Sequence, residues 1–287
     1  MKIGFIDYYL DEWHANNYPR WIRESPANTG GGPAFAWGER DAPGGLSSAA
    51  WCRGQGVELC GSIEELCEKS DRILILAPDN SEKHLEYGRR VFPCGKPVYM
   101  DKTFAPTLRE AEEIFSLAER YAAPLCSSSA LRFASEIAAF NGDALSVVSA
   151  GGGPSFESYA VHQMEMIVKV MGTGTERVMG LMNGRNKALV IQFKDGRKAL
   201  FNQAAGTPAP FTVSVETGKG LEHRPIESDF FRAFIDNLLV FYETGKPLAA
   251  KEETLAVIAL IDAGERALAE PFRWIGASAG SGAPGAG

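Results

Sequence analysis

Three clusters of polar residues in this 287-residue sequence have side chains of the types that bind polar ligands or transfer protons. Asp101 and Lys102 place a carboxylate beside an ammonium group. Asn80 and His84 form a second cluster in the first half of the chain. His162 lies three residues before Glu165, a spacing that puts both on one face of a helix. Because periodicity alone names no reaction, the elements that position these residues decide which chemistry is available.

The first two clusters follow segments that predict the strands of a parallel sheet. Short apolar runs alternate with helical patterns over the first 130 residues, as expected for a doubly wound α/β sheet with crossover helices. The six predicted strands are Lys2–Ile6, Ala34–Trp37, Val57–Cys60, Arg72–Ala77, Pro97–Met100 and Leu125–Ser128. The carboxyl ends of such strands border the crevice that binds ligands, so a site is expected after the fourth and fifth strands.

The sequence after about Arg132 predicts an α+β domain with an open, mainly antiparallel sheet. Asp195-Gly196 predicts a hairpin turn, because both positions can take a positive φ. Apolar residues recur at helical spacing in Ser228–Thr244, and Glu252–Ala269 follows as a second closing helix. The predicted strands of this half are Ala144–Ser149, Glu176–Asn183, Ala188–Lys194, Lys198–Gln203, Phe211–Thr217 and Leu221–Ile226.

These patterns divide the chain into three predicted parts. Residues 1–130 form a Rossmann-type domain of the dinucleotide-binding kind, and residues 131–275 form the α+β domain for substrate binding and oligomerisation. Residues 276–287 are predicted to be a flexible low-complexity tail, because glycine and other small residues cannot bury enough apolar surface to offset the entropy of ordering.

Composition and charge restrict the class of function. The net charge is -7 and the cationic residues are scattered, so nucleic acid is not an expected partner. No apolar run approaches the ~20 residues that span a bilayer, and the amino end lacks a signal-peptide pattern, so a cytoplasmic location without membrane contact is predicted. The five cysteines never form C-x-x-C, which favours buried reduced thiols over disulfides or a metal site.

The order and spacing of several motifs resemble the Gfo/Idh/MocA family of oxidoreductases over nearly the whole chain. The motifs that carry this resemblance are Pro78, Asn80 and His84 for P-N-x-x-H, Gly95–Thr103 for G-K-H-V-x-x-E-K-P, Val161-His162 with Glu165 for the helix of the catalytic histidine, and Phe231–Pro247 with Glu252–Ala269 for the closing helices.

The resemblance implies an enzyme that transfers a hydride between a nicotinamide and a hydroxyl-bearing carbon of a sugar, cyclitol or related polyol. Lys102 would lie near the nicotinamide and donate a hydrogen bond to the substrate oxygen. His162 would be the general base or acid, a role that suits a group titrating near neutral pH. Glu165 and Ser158 would contact the substrate. The resemblance also implies a homo-oligomer that forms through the open sheet of the second domain.

The cofactor that the resemblance implies is NAD or NADP. The residues expected to bind it are Asp7, Tyr8, Glu39, Arg40, Pro78, Asn80, His84 and Asp101. Glu39 resembles the acidic residue that binds the ribose diol of NAD, whereas its neighbour Arg40 would accept the additional phosphate of NADP. The preference between the two cofactors stays open.

The first turn departs from the family pattern. A dinucleotide-binding turn has the fingerprint G-x-G-x-x-G, which lets the backbone approach the pyrophosphate, but Ile6 to His14 contains no glycine. A carboxylate at Asp7 placed ~5 Å from a phosphate would cost roughly 3 kcal/mol at an effective dielectric constant near 20. Tyr8 and Tyr9 add bulk there. In addition, Ser158 replaces an aspartate found in many members, and Thr103 replaces a proline.

These departures keep two other functions open. One is a non-catalytic member of the same fold that has lost dinucleotide binding and serves as a sensing or partner subunit. The other is a lyase or hydrolase that oxidises its substrate transiently. Spacing alone also allows Lys102 to be an exposed lysine at a strand end and His162 to be a structural histidine. His14 and His84 are expected to have structural roles in helices.

Overall fold

The computed structural model describes residues 1–138, 140, 143–183 and 185–277. The strands are β1 Lys2–Tyr9, β2 Gly32–Arg40, β3 Glu58–Leu59, β4 Arg72–Ile75, β5 Val98–Met100, β6 Leu125–Cys126, β7 Ala144–Gly153, β8 Thr175–Asn183, β9 Asn186–Phe193, β10 Lys198–Ala205, β11 Thr212–Thr217, β12 Gly220–Pro225 and β13 Trp274–Gly276. The helices are α1 Trp13–Glu24, α2 Ser48–Gln55, α3 Ile63–Lys69, α4 His84–Val91, α5 Leu108–Arg120, α6 Ser135–Ala138, α7 Phe156–Met171, α8 Phe230–Thr244 and α9 Lys251–Ala269.

The described chain folds into two compact units. Unit 1 comprises Met1–Phe133 and Asp229–Lys251, and unit 2 comprises Ala134–Ser228 and the chain from Glu252 onward. This division differs from the predicted boundary at 130/131 chiefly in α8, which was assigned to the second domain and belongs to unit 1. The spacing of apolar residues in α8 predicts a buried stripe but does not say which surface covers it.

Unit 1 contains a parallel sheet of six strands. Their order is β3-β2-β1-β4-β5-β6, and each pair of neighbours is parallel. Each of the six predicted strands corresponds to one of these, so the predicted doubly wound architecture is confirmed. The order reverses direction between β1 and β4, and the carboxyl ends of these two strands therefore flank the switch point at which such sheets bind ligands.

Helices on this sheet begin where the sequence provides capping side chains. Ser62 Oγ accepts a hydrogen bond from the Glu65 amide at the start of α3 (3.1 Å), and Thr107 Oγ1 accepts one from the Glu110 amide at the start of α5 (3.2 Å). Each contact satisfies a backbone donor that has no partner inside the helix. The Glu65 carboxylate in turn accepts from the Gly61 amide, just before the cap.

The core of unit 1 includes a cluster of aromatic rings around α8. Phe234 is fully buried, and its ring centroid lies 5.7 Å from that of Tyr18, 5.2 Å from that of Tyr99 and 5.9 Å from that of Phe133. The Tyr242 hydroxyl donates to the Ile73 carbonyl (2.8 Å) and fixes α8 against β4. These contacts explain why α8 belongs to unit 1.

Unit 2 contains a sheet with the order β12-β11-β7-β10-β9-β8-β13. Only β7 and β10 pair in parallel, and the other neighbours are antiparallel, which confirms an open and mainly antiparallel sheet. The six strands predicted here correspond to β7 through β12. The strand β13 was not predicted. It places Gly276 in the sheet rather than in the predicted tail, and residues 278–287 lie outside the described residues.

The β9–β10 hairpin differs in detail from the predicted turn. The Phe193 amide donates to the Arg197 carbonyl (2.9 Å), and Gly196 has a φ of 87°. Asp195 keeps a negative φ, so only the glycine uses the left-handed region. This arrangement is a three-residue loop with glycine at its last position, a common alternative to a two-residue turn.

Within the described residues, no helix is both long and apolar enough to cross a membrane.

Candidate functional site

The carboxyl end of β1 carries a buried carboxyl group. Asp7 is 1% exposed, and its Oδ1 accepts hydrogen bonds from the Tyr8 amide (2.7 Å) and the Ala77 amide (3.0 Å). Ala77 follows β4 and has a φ of 51°, a conformation that favours glycine. Asp7 therefore connects the end of β1 to the turn after β4, at the switch point of the sheet.

The amino end of α1 is capped by Glu12. Glu12 Oε2 accepts a hydrogen bond from the His14 amide (2.8 Å), and Glu12 Oε1 accepts one from the Ala15 amide. His14 Nδ1 lies 3.2 Å from Glu12 Oε2. One carboxylate thus uses two of the backbone donors that a helix leaves free at its amino end, where the helix dipole also favours a negative charge.

Asp7 and Glu12 form an interacting carboxyl pair. Burial and then the charge of Glu12 raise the pKa of Asp7 well above its ordinary value, against the lowering effect of the Ala77 amide. The protonated form of Asp7 is therefore favoured, and in this form the carboxyl group can donate a hydrogen bond to Glu12. When Asp7 is ionised, its buried Oδ2 has no hydrogen-bond donor in the described part of the chain, so the neutral form suits this environment better.

We expect the difference in unfolding free energy between the wild type and Asp7→Asn to depend on pH. Unfolded aspartate loses its proton near pH ~3.9, whereas folded Asp7 keeps it, so the stability that the neutral carboxyl contributes is complete below that pH. It is lost as the pH rises through the raised pKa, at up to ~1.4 kcal/mol per pH unit. Urea unfolding at successive pH values from about 4 to about 8 should show the wild type losing stability relative to Asp7→Asn.

Asp11→Asn is the matched control for this measurement. The Leu46 amide and then Asn16 lower the pKa of Asp11, so its contribution is present above the unfolded pKa and is lost as the pH falls. Relative to Asp11→Asn, the wild type should therefore lose stability toward pH ~4 and stay level above about pH 5, the opposite trend. A constant difference between wild type and Asp7→Asn over the whole range would show that Asp7 is ionised in the folded protein.

Two buried charged residues follow β5. Asp101 is 1% exposed, and its Oδ1 lies 2.9 Å from the Tyr99 hydroxyl, which is equally close to the Ser128 carbonyl. Asp101 Oδ2 lies 3.8 Å from His14 Nε2. The peptide bond between Lys102 and Thr103 is cis. Asp7, Glu12, His14 and Asp101 are linked by these contacts, and we call them the first-turn cluster.

Lys102 is 6% exposed, so it is not the exposed lysine at a strand end that spacing alone allowed. Its ammonium group makes no hydrogen bond or ion pair with another residue in the described parts of the chain. A largely buried ammonium with three free donors is costly unless it gains a partner. Lys102 is therefore suited to donate hydrogen bonds to an oxygen of a bound molecule.

The cluster favours the protonated form of His14. Burial lowers the pKa of His14, but the charge of Asp101 and the contact with Glu12 outweigh burial, and the net shift is upward. Lys102 opposes this shift, which places its charge within electrostatic range of the imidazole. His14 was expected to be a structural helix residue, and the structure instead connects it to both Glu12 and Asp101.

Glu39 and Arg40, the residues expected at the ribose, are engaged in other contacts. Glu39 Oε1 accepts from Lys83 Nζ (2.9 Å), and Glu39 Oε2 accepts from the Tyr87 hydroxyl (2.7 Å). Burial opposes these bonds, but together they lower the pKa of Glu39. The Arg40 guanidinium lies 6.0 Å from the centroid of the Tyr8 ring, and Lys83 Nζ lies 5.7 Å from it. A ribose diol would have to compete with Lys83 and Tyr87 for Glu39.

Pro78, Asn80 and His84, which have the spacing P-x-N-x-x-x-H, shape the chain after β4. His84 is fully buried, with Nε2 2.7 Å from the Leu76 carbonyl and Nδ1 2.9 Å from the Phe104 carbonyl. Burial lowers the pKa of His84. Its ring therefore positions the turn at Pro78 and the segment after Lys102 rather than touching a ligand. Asn80 Nδ2 donates to Glu82 Oε1 (3.0 Å).

The first turn does not fit a dinucleotide pyrophosphate in the usual place. The amides of His14 and Ala15 are used by Glu12, and the Tyr8 and Tyr9 rings, 4.6 Å apart, stand where the fingerprint has glycines. A phosphate there would meet the Glu12 carboxylate at close range. Sequence reasoning considered Asp7 as the carboxylate beside the phosphate and missed Glu12, whose side chain accepts from the amides at the amino end of α1.

Unit 2 carries the other predicted site residues on α7. Ser155 caps this helix by accepting from the Ser158 amide (3.2 Å), and the two hydroxyl oxygens lie 3.0 Å apart. His162 is half-buried, with its ring centroid 5.0 Å from that of Tyr159 and 5.7 Å from that of Phe211. Glu165 is 3% exposed. One turn of α7 thus carries a half-buried imidazole and, three residues later, a buried carboxyl group.

Comparison with known proteins supports the fold. No family model matches the chain. A 63-residue stretch, 22% of the chain, is 32% identical to the uncharacterized oxidoreductase YhhX of Escherichia coli (strain K12), and this match spans 18% of that relative's length.

Solved structures with the same fold align with almost the whole chain. They include a probable dehydrogenase from Thermotoga maritima (TM-score 0.80, 14% identity, 96% of this chain and 99% of that chain). Another is an apo scyllo-inositol dehydrogenase from Lactobacillus casei (TM-score 0.75, 15% identity, 96% of this chain and 98% of that chain). A third is an oxidoreductase from Agrobacterium radiobacter in complex with NAD+, L-tartaric acid and magnesium (TM-score 0.73, 13% identity, 96% of this chain and 98% of that chain). The chain therefore shares its fold with these dehydrogenases and with this oxidoreductase, as the resemblance of its motifs predicted.

Proposed function

We propose that this chain is an oxidoreductase that acts on a hydroxyl-bearing carbon of a sugar, cyclitol or related polyol, with NAD or NADP as its redox partner. The observation that carries the proposal is Lys102, a buried ammonium without a partner in the described chain, placed just after β5 in a fold shared with dehydrogenases. The inositol dehydrogenase of the same fold supports a polyol as the class of substrate.

The proposed roles follow from the chemistry of each side chain. Lys102 would donate a hydrogen bond to the oxygen of the reacting hydroxyl and stabilise negative charge that develops on it. His162 would accept or return the hydroxyl proton, and Ser158 and Glu165 would contact the other hydroxyl groups. A dinucleotide would have to bind with Glu12 displaced, because Glu12 uses the amides at the amino end of α1.

Titration of the purified protein with NADH and NADPH, followed by tryptophan and tyrosine fluorescence, tests this function. We expect saturable binding of one of the two at millimolar concentration or below. Reduction of NAD or NADP in the presence of a panel of cyclitols and aldoses should then identify a substrate. The absence of saturation with either dinucleotide would overturn the proposal.

A second candidate is a non-catalytic sensing or partner subunit with the same fold. The Glu12 cap favours it, because the amides that would bind a pyrophosphate already bind a carboxylate. This candidate predicts binding of a polyol, detectable by calorimetry, with no change in dinucleotide absorbance. Formation of NADH or NADPH that Lys102→Met abolishes would exclude it.

Two further features of this function stay proposals. We expect a homo-oligomer that forms through the open sheet of unit 2, since Val148 and Leu200 are paired neighbours on it and are 39% and 42% exposed. A single-chain mass by analytical ultracentrifugation at micromolar concentration would contradict this. A cytoplasmic location stays a prediction, and the five cysteines are free thiols.

A further inference from the structure

The turn between β1 and α1 lies where this fold presents backbone donors to an anionic ligand. β1 is a central strand between β2 and β4, and α1 begins at Trp13 soon after β1 ends at Tyr9. In a sheet of this order, the amino end of the first helix faces the pyrophosphate of a dinucleotide. In this chain the same backbone donors already bind an anion, the side chain of Glu12.

Several groups hold Glu12 in this position. Its two oxygens accept from the His14 and Ala15 amides, and Oε2 also contacts the His14 imidazole. Burial lowers the pKa of that imidazole, but Asp101 and Glu12 outweigh burial, and the net upward shift favours the positively charged form beside the carboxylate. Helix dipole, amides and imidazolium therefore all favour an anion here.

Asp7 completes the arrangement from the strand side. It is buried, and burial and then the charge of Glu12 raise its pKa, which favours the protonated form. With Asp7 protonated, the Glu12 carboxylate is the anion that the His14 and Ala15 amides bind. A phosphate brought to the same amides would lie beside that charge and repel it.

We propose that Glu12 is a built-in competitor of the dinucleotide pyrophosphate, so that ligand phosphates reach the amino end of α1 only when the Glu12 side chain leaves it. The inference takes the identity of the ligand from the proposed function. The inference also explains why the first turn has no glycines. While Glu12 occupies the amino end of α1, no phosphate approaches the backbone at Tyr8 and Tyr9, so side chains fit there.

The test measures the binding of ADP-ribose, which contains the pyrophosphate without the nicotinamide, by isothermal titration calorimetry at fixed salt. The variants are Glu12→Ser and Glu12→Asn, since serine and asparagine cap helices without a charge. We expect both to bind ADP-ribose about 100-fold more tightly than the wild type, because a like charge in near contact is removed. Glu24→Ser, at the opposite end of α1, removes the same charge and should leave the affinity unchanged.

Each outcome decides the inference. Equal affinity of the wild type and both Glu12 variants would overturn it and leave the proposed function intact. If all three proteins bind no ADP-ribose while circular dichroism shows that they are folded, another feature excludes the phosphates and the inference is wrong. Tight binding by the Glu12 variants without oxidation of any polyol would support the inference and overturn the proposed function.

Discussion

Replacing Lys102 with methionine is expected to lower kcat/KM for the polyol substrate by about 1000-fold, the scale reported for loss of one donor to a developing oxyanion. Methionine keeps the length and the apolar part of the side chain but removes the three donors of the ammonium group. The loss should fall mainly on kcat, because the hydrogen bond strengthens as charge develops on the substrate oxygen. Steady-state rates of NAD or NADP reduction measure the effect.

The stability of Lys102→Met separates a chemical role from a structural one. Lys102 is 6% exposed and has no partner in the described chain, so its removal should leave the melting temperature unchanged or raise it. Lys194→Met, at an exposed position in the β9–β10 loop, is the control for the loss of one positive charge and should retain full activity. A variant with normal kcat would show that Lys102 does not contact the reacting oxygen.

Phe234→Ala should lower the free energy of unfolding by about 3–5 kcal/mol, because it deletes a fully buried ring and leaves a cavity. The ring lies within 6 Å, centroid to centroid, of Tyr18, Tyr99 and Phe133, so three neighbours lose contacts at once. Urea unfolding followed by fluorescence measures the loss, with the midpoint moving to lower denaturant concentration.

Phe272→Ala provides the comparison for this core substitution. Phe272 is 73% exposed, so removal of its ring should change the free energy of unfolding by less than about 0.5 kcal/mol. If Phe234→Ala were as stable as Phe272→Ala, the packing of α8 on the aromatic cluster of unit 1 would be incorrect.

Much of the architecture could be predicted because it depends on local periodicity. Alternation of apolar runs with helical patterns predicts a parallel sheet, and all six strands of unit 1 were found in this way. The placement of α8 could not be predicted, since an apolar stripe is compatible with either unit. The strand β13 was missed because three residues beside a glycine-rich end carry too little pattern.

Within the candidate site, only residues whose position follows from the sheet topology could be predicted. Asp101 and Lys102 follow a strand, and the rule for strand ends places them in a crevice. Glu12 was missed because glutamate is not among the preferred capping residues, although it directly precedes the helical pattern of α1. The protonation of Asp7 depends on its burial and on Glu12, and neither can be derived from the sequence.

The order in which the chain is synthesised gives α8 a further importance. Unit 1 consists of two separate stretches, and its second stretch, Asp229–Lys251, is made only after the Ala134–Ser228 stretch of unit 2. While the ribosome is still adding residues of unit 2, the rings of Tyr18 and Tyr99 lack the cover that Phe234 provides in the finished protein. The nascent sheet therefore exposes an aromatic surface until residues of α8 are added, and a chain truncated at residue 228 should be a substrate for chaperones.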